Sequence, residues 1–222
     1  MHNTEPLRVD FELGGMMAVP EKHPPLLDAL LLARLGRRLP LPFPADAIPV
    51  ATVTDRKWSE GTFCWLASAL HIDWVGPAVD RVLHRNARPM ELLDDAGEHN
   101  ATSVDFDRGL TKVTRKRMSV RQAVKASAWC IGDQDNVATL LNDLQALGAH
   151  RHHGLGIVRS VSVERDTAAL KMAWWRPLPA AHAKDPFAGL RFRASGRASP
   201  PYWDRDLSLQ AWWPTAEAVQ PP

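Results

Sequence analysis

A glycine-rich segment in the second half of the chain carries three histidines within four positions. Residues 148–156 read Gly-Ala-His-Arg-His-His-Gly-Leu-Gly. Glycines permit positive φ angles and a close approach of backbone to ligand, and backbone amides beside arginine and histidine can cradle an anion. We therefore predict a phosphate-binding loop, and its candidate residues are His150, Arg151, His152, His153, Gly154 and Gly156.

The same three histidines leave other chemistries open. An imidazole titrates near neutral pH, so one of them could serve as acid or base in metal-independent cleavage of RNA. We expect no metal and no cofactor, because no cysteine or acidic residue lies nearby and the spacing matches no common zinc signature. A purely structural alternative is a glycine-rich turn whose histidines cap the backbone or face solvent.

A run of basic residues precedes this loop and forms the second candidate site. Between Arg108 and Lys125 the chain has seven lysines and arginines and no acidic residue, although its formal net charge is only +2. A local excess of this kind attracts phosphates, which arginine holds through a bidentate fork. The predicted RNA-binding residues of this run are Arg115, Lys116, Arg117, Arg121 and Lys125.

Trp129 lies in phase with the last two of these residues in the predicted strand. An exposed tryptophan there could stack on a base. The alternative is a solvated charged face with Trp129 packed under a loop.

Hydrophobic periodicity predicts the elements that hold both sites. Residues 7–13 alternate between apolar and charged, which predicts a strand that ends at Gly14–Gly15, and a helix is predicted between Pro25 and Gly36. A strand from Ser119 is predicted to turn one face to the core, with Val120, Val124, Ala126 and Ala128, and the other face to Arg121, Lys125 and Trp129.

The second strand leads into a second helix and a further strand. Asp133 or Asp135 suits the start of this helix, Gly148 suits its end, and residues 157–164 alternate as a strand does. Two successive strand–helix units predict a ferredoxin-like α+β arrangement, with helices on one face of an antiparallel sheet. Further strand-like segments span 62–75, 170–175 and 207–213, and an exposed loop is predicted over 90–101.

Composition excludes several classes of protein. With 45% apolar residues the chain can bury a core, yet no apolar run is long enough to cross a bilayer, and the polar N-terminus has no secretory signal pattern. Cys64 and Cys130 are too few and too far apart to indicate a disulfide framework or a zinc site. We expect a cytoplasmic protein without membrane contact. Phosphate-loop, dinucleotide-binding and Gly-x-Ser-x-Gly motifs are all absent.

Three sequence segments occur in an order typical of a known family. They are Leu-Arg-Val-Asp-Phe-Glu-Leu from Leu7, Pro-Leu-Leu-Asp-Ala-Leu-Leu from Pro25, and Leu-Gly-Ala-His-Arg-His-His-Gly-Leu-Gly-Ile-Val from Leu147. Together they resemble the RAMP superfamily of CRISPR–Cas proteins, and most of all the Cas-five-type subunit of type IV effector complexes. The resemblance runs from about Leu7 to Arg165.

This resemblance implies both an architecture and a role. The fold would be a ferredoxin-like (RRM-like) RAMP core over residues 1–170, with a thumb-like insertion at about 50–118 and a short strand-containing extension over 171–222. The implied role is non-catalytic: binding the 5′ handle of the CRISPR RNA beside the backbone and large subunits, close to the flanking motif of the target double-stranded DNA.

Two other functions remain open alongside this one. A loop histidine would make the protein a metal-independent endoribonuclease that processes CRISPR RNA. The tryptophan pairs, Trp174–Trp175 and Trp212–Trp213, favour a scaffold whose main partner is protein, since tryptophan is a common interface anchor.

Overall fold

The computed structural model describes residues 4–20, 24–35, 44–56, 58, 62–85, 114–182, 184–196, 198 and 209–214. In chain order its elements are β1 (Glu5–Ala18), α1 (Leu27–Leu35), β2 (Thr52–Val53), β3 (Cys64–Trp65), β4 (His71–Arg85), β5 (Thr114–Gly132), α2 (Gln134–Leu141), β6 (Val158–Arg165), α3 (Ala169–Met172), β7 (Arg191–Gly196) and β8 (Leu209–Pro214). Single 3₁₀ turns occur at Arg151–His153 and Ala188–Leu190. Helix and sheet are both present, so the predicted α+β class is confirmed.

A four-stranded antiparallel sheet forms the centre of the molecule. Its strands lie in the order β4–β5–β1–β6. The predicted alternation of β1 is confirmed, because its apolar residues are 0–5% exposed, namely Leu7, Val9, Phe11 and Leu13. The strand does not end at Gly14–Gly15 as predicted. It continues to Ala18 through an irregularity in its pairing with β5.

Both longer helices pack their apolar residues on one face of this sheet. Leu27 and Leu31 of α1 and Val137 and Leu141 of α2 are fully buried in the main core cluster. Asp133 caps α2 as predicted, since its carboxylate accepts a hydrogen bond from the Asn136 amide at 3.0 Å. Within the described residues, no helix has both the length and the apolar character that a membrane crossing needs.

The predicted end of α2 was wrong. The helix stops at Leu141, although Leu144 and Leu147 continue its apolar spacing as far as Gly148. Both leucines are buried in the main core, but from a non-helical segment in which Ala146 bridges to Ile157. The apolar spacing therefore predicted the buried residues correctly, but it did not predict the residue at which the helix ends.

Most of the remaining segments differ in type or length from their predictions. Residues 170–175 were predicted as a strand, but α3 and the turn after it occupy this position. The strand predicted over 62–75 is divided between the two-residue β3 and the start of β4, whereas β6 and β8 are confirmed. Residues 86–113, including the loop predicted at 90–101, lie outside the described part. The division of the chain at residue 170 stays a prediction.

A second core covers the opposite face of β5 near its C-terminal end. Trp129, Cys64, Trp174, Trp175 and Phe187 are all less than 10% exposed there. Three of the four paired tryptophans are thus used for packing within the chain, since Trp213 is also buried. This finding weakens the sequence argument for tryptophan-mediated protein contacts.

A buried ion pair ties this second core to α1. The Arg176 guanidinium donates to the Asp28 carboxylate at 2.7 Å, and both side chains are fully buried. The same guanidinium also donates to the carbonyl oxygens of Trp65 and Ala198. Buried charges require partners of this kind, so Arg176 joins segments that are far apart in the sequence.

A β-bulge in β5 places Arg121 and Lys125 on opposite faces, although both were predicted on the same face. Lys125 pairs with Asp73 of β4, and Ala123 pairs with Trp74, so Val124 is an extra residue between the two pairs. One extra residue turns the following side chains to the other face. Val124 is 42% exposed, against the prediction that it faces the core.

Candidate nucleic-acid interface

The glycine–histidine loop is held at its base by backbone hydrogen bonds to two neighbouring segments. The Gly156 amide donates to the Met16 carbonyl at 2.8 Å, and the Leu147 amide donates to the Gly156 carbonyl at 2.7 Å. The Val158 amide donates to the Gln145 carbonyl at 2.9 Å. The two ends of the loop are therefore fixed against each other and against β1.

Glycine is required at three positions of the loop, at Gly156 by the space around it and at Gly148 and Gly154 by the backbone conformation. Gly156 has φ +68°, and a Cβ there would meet the Leu147 carbonyl oxygen at 2.0 Å. Gly148 has φ +79°, and its Cβ would meet the Met17 Cε at 2.7 Å. Gly154 also has a positive φ, +74°, but open space around it. The glycine spacing thus reflects close backbone approach and sharp turning, as the sequence predicted.

The three histidines come together at the tip of the loop. His150 adopts the left-handed conformation, with φ 58°, and a single 3₁₀ turn follows it. The rings of His152 and His153 lie 4.0 Å apart between centroids, and each lies 6.0 Å from the ring of His150. Desolvation within the cluster and the neighbouring His152, His150 and Arg81 lower the pKa of His153. The lowered pKa favours the neutral form of the His153 imidazole.

The structure brings the start of the basic strand next to this loop. Leu155 packs in one buried cluster with Met118 and Val120 of β5. Arg117 is the immediate neighbour of Met118 and is exposed, as is Arg151 in the loop. Successive residues of a strand face opposite sides of the sheet, so the Arg117 side chain lies on the other face of β5 from Met118, which contacts the loop through Leu155. A contact of Arg117 with RNA stays a prediction.

Arg81 is an arginine of the sheet that lies beside this loop, and the sequence did not predict it as a site residue. It lies on β4 opposite Met118, and its charge acts on His153. No signal along the chain marks Arg81, because only the pairing of β4 with β5 brings it to the loop. Within the part of the chain that the structure describes, Arg81, Arg117 and Arg151 have no acidic partner.

Other predicted contacts are engaged inside the protein. The Lys125 ammonium pairs with the Asp10 carboxylate at 3.0 Å. Arg121 lies on the opposite face of β5 from Lys125, where its Nε donates to the Gly76 carbonyl at 2.6 Å. Its guanidinium also lies over the Trp74 ring, 5.9 Å from the centroid. Both residues thus contribute to internal contacts rather than to an open patch.

Trp129 is buried, so base stacking by its ring is excluded in this conformation. Its side chain is 2% exposed, and its Nε1 donates to Asp166 at 3.1 Å. The structural alternative for this residue is the correct one. Arg115 and Lys116 belong to β5 and pair with His84 and Leu83, but their side chains lie outside the described part.

Comparison with known proteins identifies the family. A family model described as CRISPR type IV associated protein Csf3 matches residues 5–214 of the 222. The match includes the segment after Lys171, which carries none of the motifs on which the resemblance rests. A comparison with curated proteins found no match. The chain therefore belongs to the Csf3 family of type IV CRISPR-associated proteins, the Cas5-like subunit of type IV complexes, which confirms the resemblance to the Cas-five-type subunit.

Proposed function

We propose that this protein is a non-catalytic RNA-binding subunit of a type IV CRISPR effector complex in the cytoplasm, and that it holds the 5′ handle of the CRISPR RNA. The handle would bind on the surface formed by Arg81 and the loop from His150 to Gly156. Membership of the Csf3 family supports the role in a type IV complex. The other effector subunits, backbone and large, are the proposed protein partners.

A ferredoxin-like RAMP fold is part of this proposal. The element order that supports it is β1, α1, β4, β5, α2, β6, which is a strand–helix–strand pattern repeated twice. The antiparallel order β4–β5–β1–β6 also supports it, because the two strands that precede the helices lie at the centre of the sheet. RNA-binding folds of this kind use one sheet-and-loop surface for the nucleic acid.

The observation that carries the proposal is that two arginines without an acidic partner among the described residues meet at one loop. Arg81 comes from β4, where its charge acts on His153, and Arg151 belongs to the loop itself. Guanidinium groups pair with phosphate oxygens in bidentate geometry, and fixed loop amides add further donors. Two cations from separate segments suit a phosphate chain better than a single anion.

A non-catalytic role agrees with the surroundings of the histidines. Acid–base cleavage needs an imidazole held in one tautomer by a partner group. Among the described residues, neither His152 nor His153 contacts an acid that would orient it. We therefore assign the loop to binding of the RNA rather than to its cleavage. The proposed approach to target double-stranded DNA rests on the family likeness alone.

Binding of a labelled CRISPR repeat RNA by the purified protein in EDTA tests the proposal. The informative variant is Arg81→Ala/Arg151→Ala, and Arg56→Ala/Arg165→Ala is a control with the same net charge. The control arginines are not part of the loop: Arg165 belongs to β6 and pairs with Leu7 of β1, and Arg56 follows β2. Fluorescence anisotropy over a series of salt concentrations gives both affinity and salt slope.

We expect the loop variant to bind about tenfold or more weakly, whereas the control binds like the wild type. For the loop variant, the slope of log affinity against log salt concentration should be smaller by about 1.4, since each phosphate contact to a single strand contributes roughly 0.7. If the two variants bind the RNA equally well, this surface is not the RNA-binding site. Cleavage that persists in EDTA and disappears in a His150/His152/His153 alanine variant would establish the endoribonuclease instead.

A further inference from the structure

The three histidines of the loop bring ring nitrogens together at the protein surface. One nitrogen from each of His150, His152 and His153 lies within 4.8 Å of the other two. In a tetrahedral zinc site with bonds of about 2.0–2.1 Å, the ligand nitrogens are about 3.3 Å apart. Rotations of the exposed His152 and His153 side chains can close the remaining distance, and their rings are already close to each other.

The backbone brings about this convergence. His150 is the only non-glycine residue with a positive φ among the described residues. A left-handed non-glycine residue costs of order 1–3 kcal/mol and persists where surrounding contacts impose it. Here the His153 amide donates to the His150 carbonyl at 2.9 Å, which turns His150 back toward the other two rings.

We propose that His150, His152 and His153 together bind one late divalent transition-metal ion, with Zn²⁺ as the reference ion. Three imidazoles without a carboxylate or thiolate favour zinc, copper or nickel over magnesium and calcium. The remaining coordination positions are open to water or to an anionic oxygen. The nearby charges of Arg81 and Arg151 oppose a bare cation and therefore favour an anion as the additional ligand.

The sequence alone led to the expectation that the histidines bind no metal. Its histidine spacing matches no common zinc signature, and no cysteine lies near the loop. The arrangement depends instead on the left-handed turn at His150, which brings a residue outside the 3₁₀ turn next to two residues within it.

Titration of the tag-free full chain with Zn²⁺ at pH 7.5, in the absence of RNA, tests this site. The protein is first treated with a chelator, which is then removed, and binding is followed by calorimetry and by the visible absorption of Co²⁺. We expect one ion per chain. The variants His152→Ala and His153→Ala should each weaken Zn²⁺ binding about tenfold or more, because loss of a ligand exceeds the 10–100-fold effect of disturbing a ligand's support.

A control variant and a competing ion separate ligation from other effects. His71→Ala removes a histidine of β4 outside the loop and should bind one Zn²⁺ per chain, and Mg²⁺ in excess should not displace the ion. The metal site is refuted if the wild type binds no Zn²⁺, if the histidine variants bind as the wild type does, or if His71→Ala loses the ion as they do. None of these outcomes depends on RNA binding.

Discussion

Gly156 is the point of closest backbone approach in the loop, and its replacement by alanine tests how the loop is held. The new Cβ would lie 2.0 Å from the Leu147 carbonyl oxygen, with the backbone at φ +68°. The carbonyl cannot simply move away, because the Leu147 amide donates to Gly156 and the Gly156 amide donates to Met16. Relief of the clash therefore breaks both hydrogen bonds.

The expected loss of stability follows from these contacts. An alanine in the left-handed region costs roughly 1–2 kcal/mol. Each lost backbone hydrogen bond adds about 0.5–1.5 kcal/mol. The free energy of unfolding of Gly156→Ala should thus fall by about 2–5 kcal/mol.

Gly154→Ala is the matched control for this substitution. Gly154 has nearly the same positive φ, +74°, but no atom lies within 4 Å of its added Cβ. It should lose about 1 kcal/mol, since a lower entropy of the unfolded chain offsets part of the strain. Urea unfolding followed by far-UV circular dichroism measures both variants. Equal losses would refute the conclusion that close packing against Leu147, rather than φ alone, requires glycine.

Three further predictions concern buried groups. Asp28→Ala should lower the free energy of unfolding by about 3–5 kcal/mol, because it leaves a buried guanidinium without its carboxylate; a loss below about 1 kcal/mol in urea unfolding would contradict this. Burial raises the pKa of Asp10, but hydrogen bonds from Arg8 and two other groups outweigh it and lower the pKa. Its contribution to stability is then present above its unfolded pKa of about 3.9 and lost as pH falls through the lower folded value, so the stability gap to Asp10→Asn should shrink between pH 6 and pH 3 and should not stay constant. Burial also raises the pKa of the Cys64 thiol to about 11 and that of Cys130 to about 12, so a thiol reagent at pH 8 should modify them only on unfolding, and rapid modification of the native protein would show the burial to be wrong.

The parts of the fold that the sequence predicts well are those in which one periodicity controls burial. Every second residue of β1 from Leu7 to Leu13 enters the core, so the alternation is unambiguous. In contrast, α2 and the segment after it show one continuous apolar spacing, because Leu144 and Leu147 also reach the core. Apolar spacing reports which side chains are buried and cannot show where the helical hydrogen bonds end.

The candidate site illustrates a different limit, which arises from pairing between distant strands. The acid-free run ending at Lys125 suggested an open patch, yet Asp10 of β1 supplies a carboxylate 115 positions earlier in the sequence. The bulge at Val124 turns Arg121 away from that face, and the pairing of β4 with β5 adds Arg81. A charge count along the chain includes none of these effects, since each depends on sheet register. The net charge of a segment can therefore indicate a nucleic-acid surface. The strand pairing determines which of its basic side chains remain available to bind phosphate.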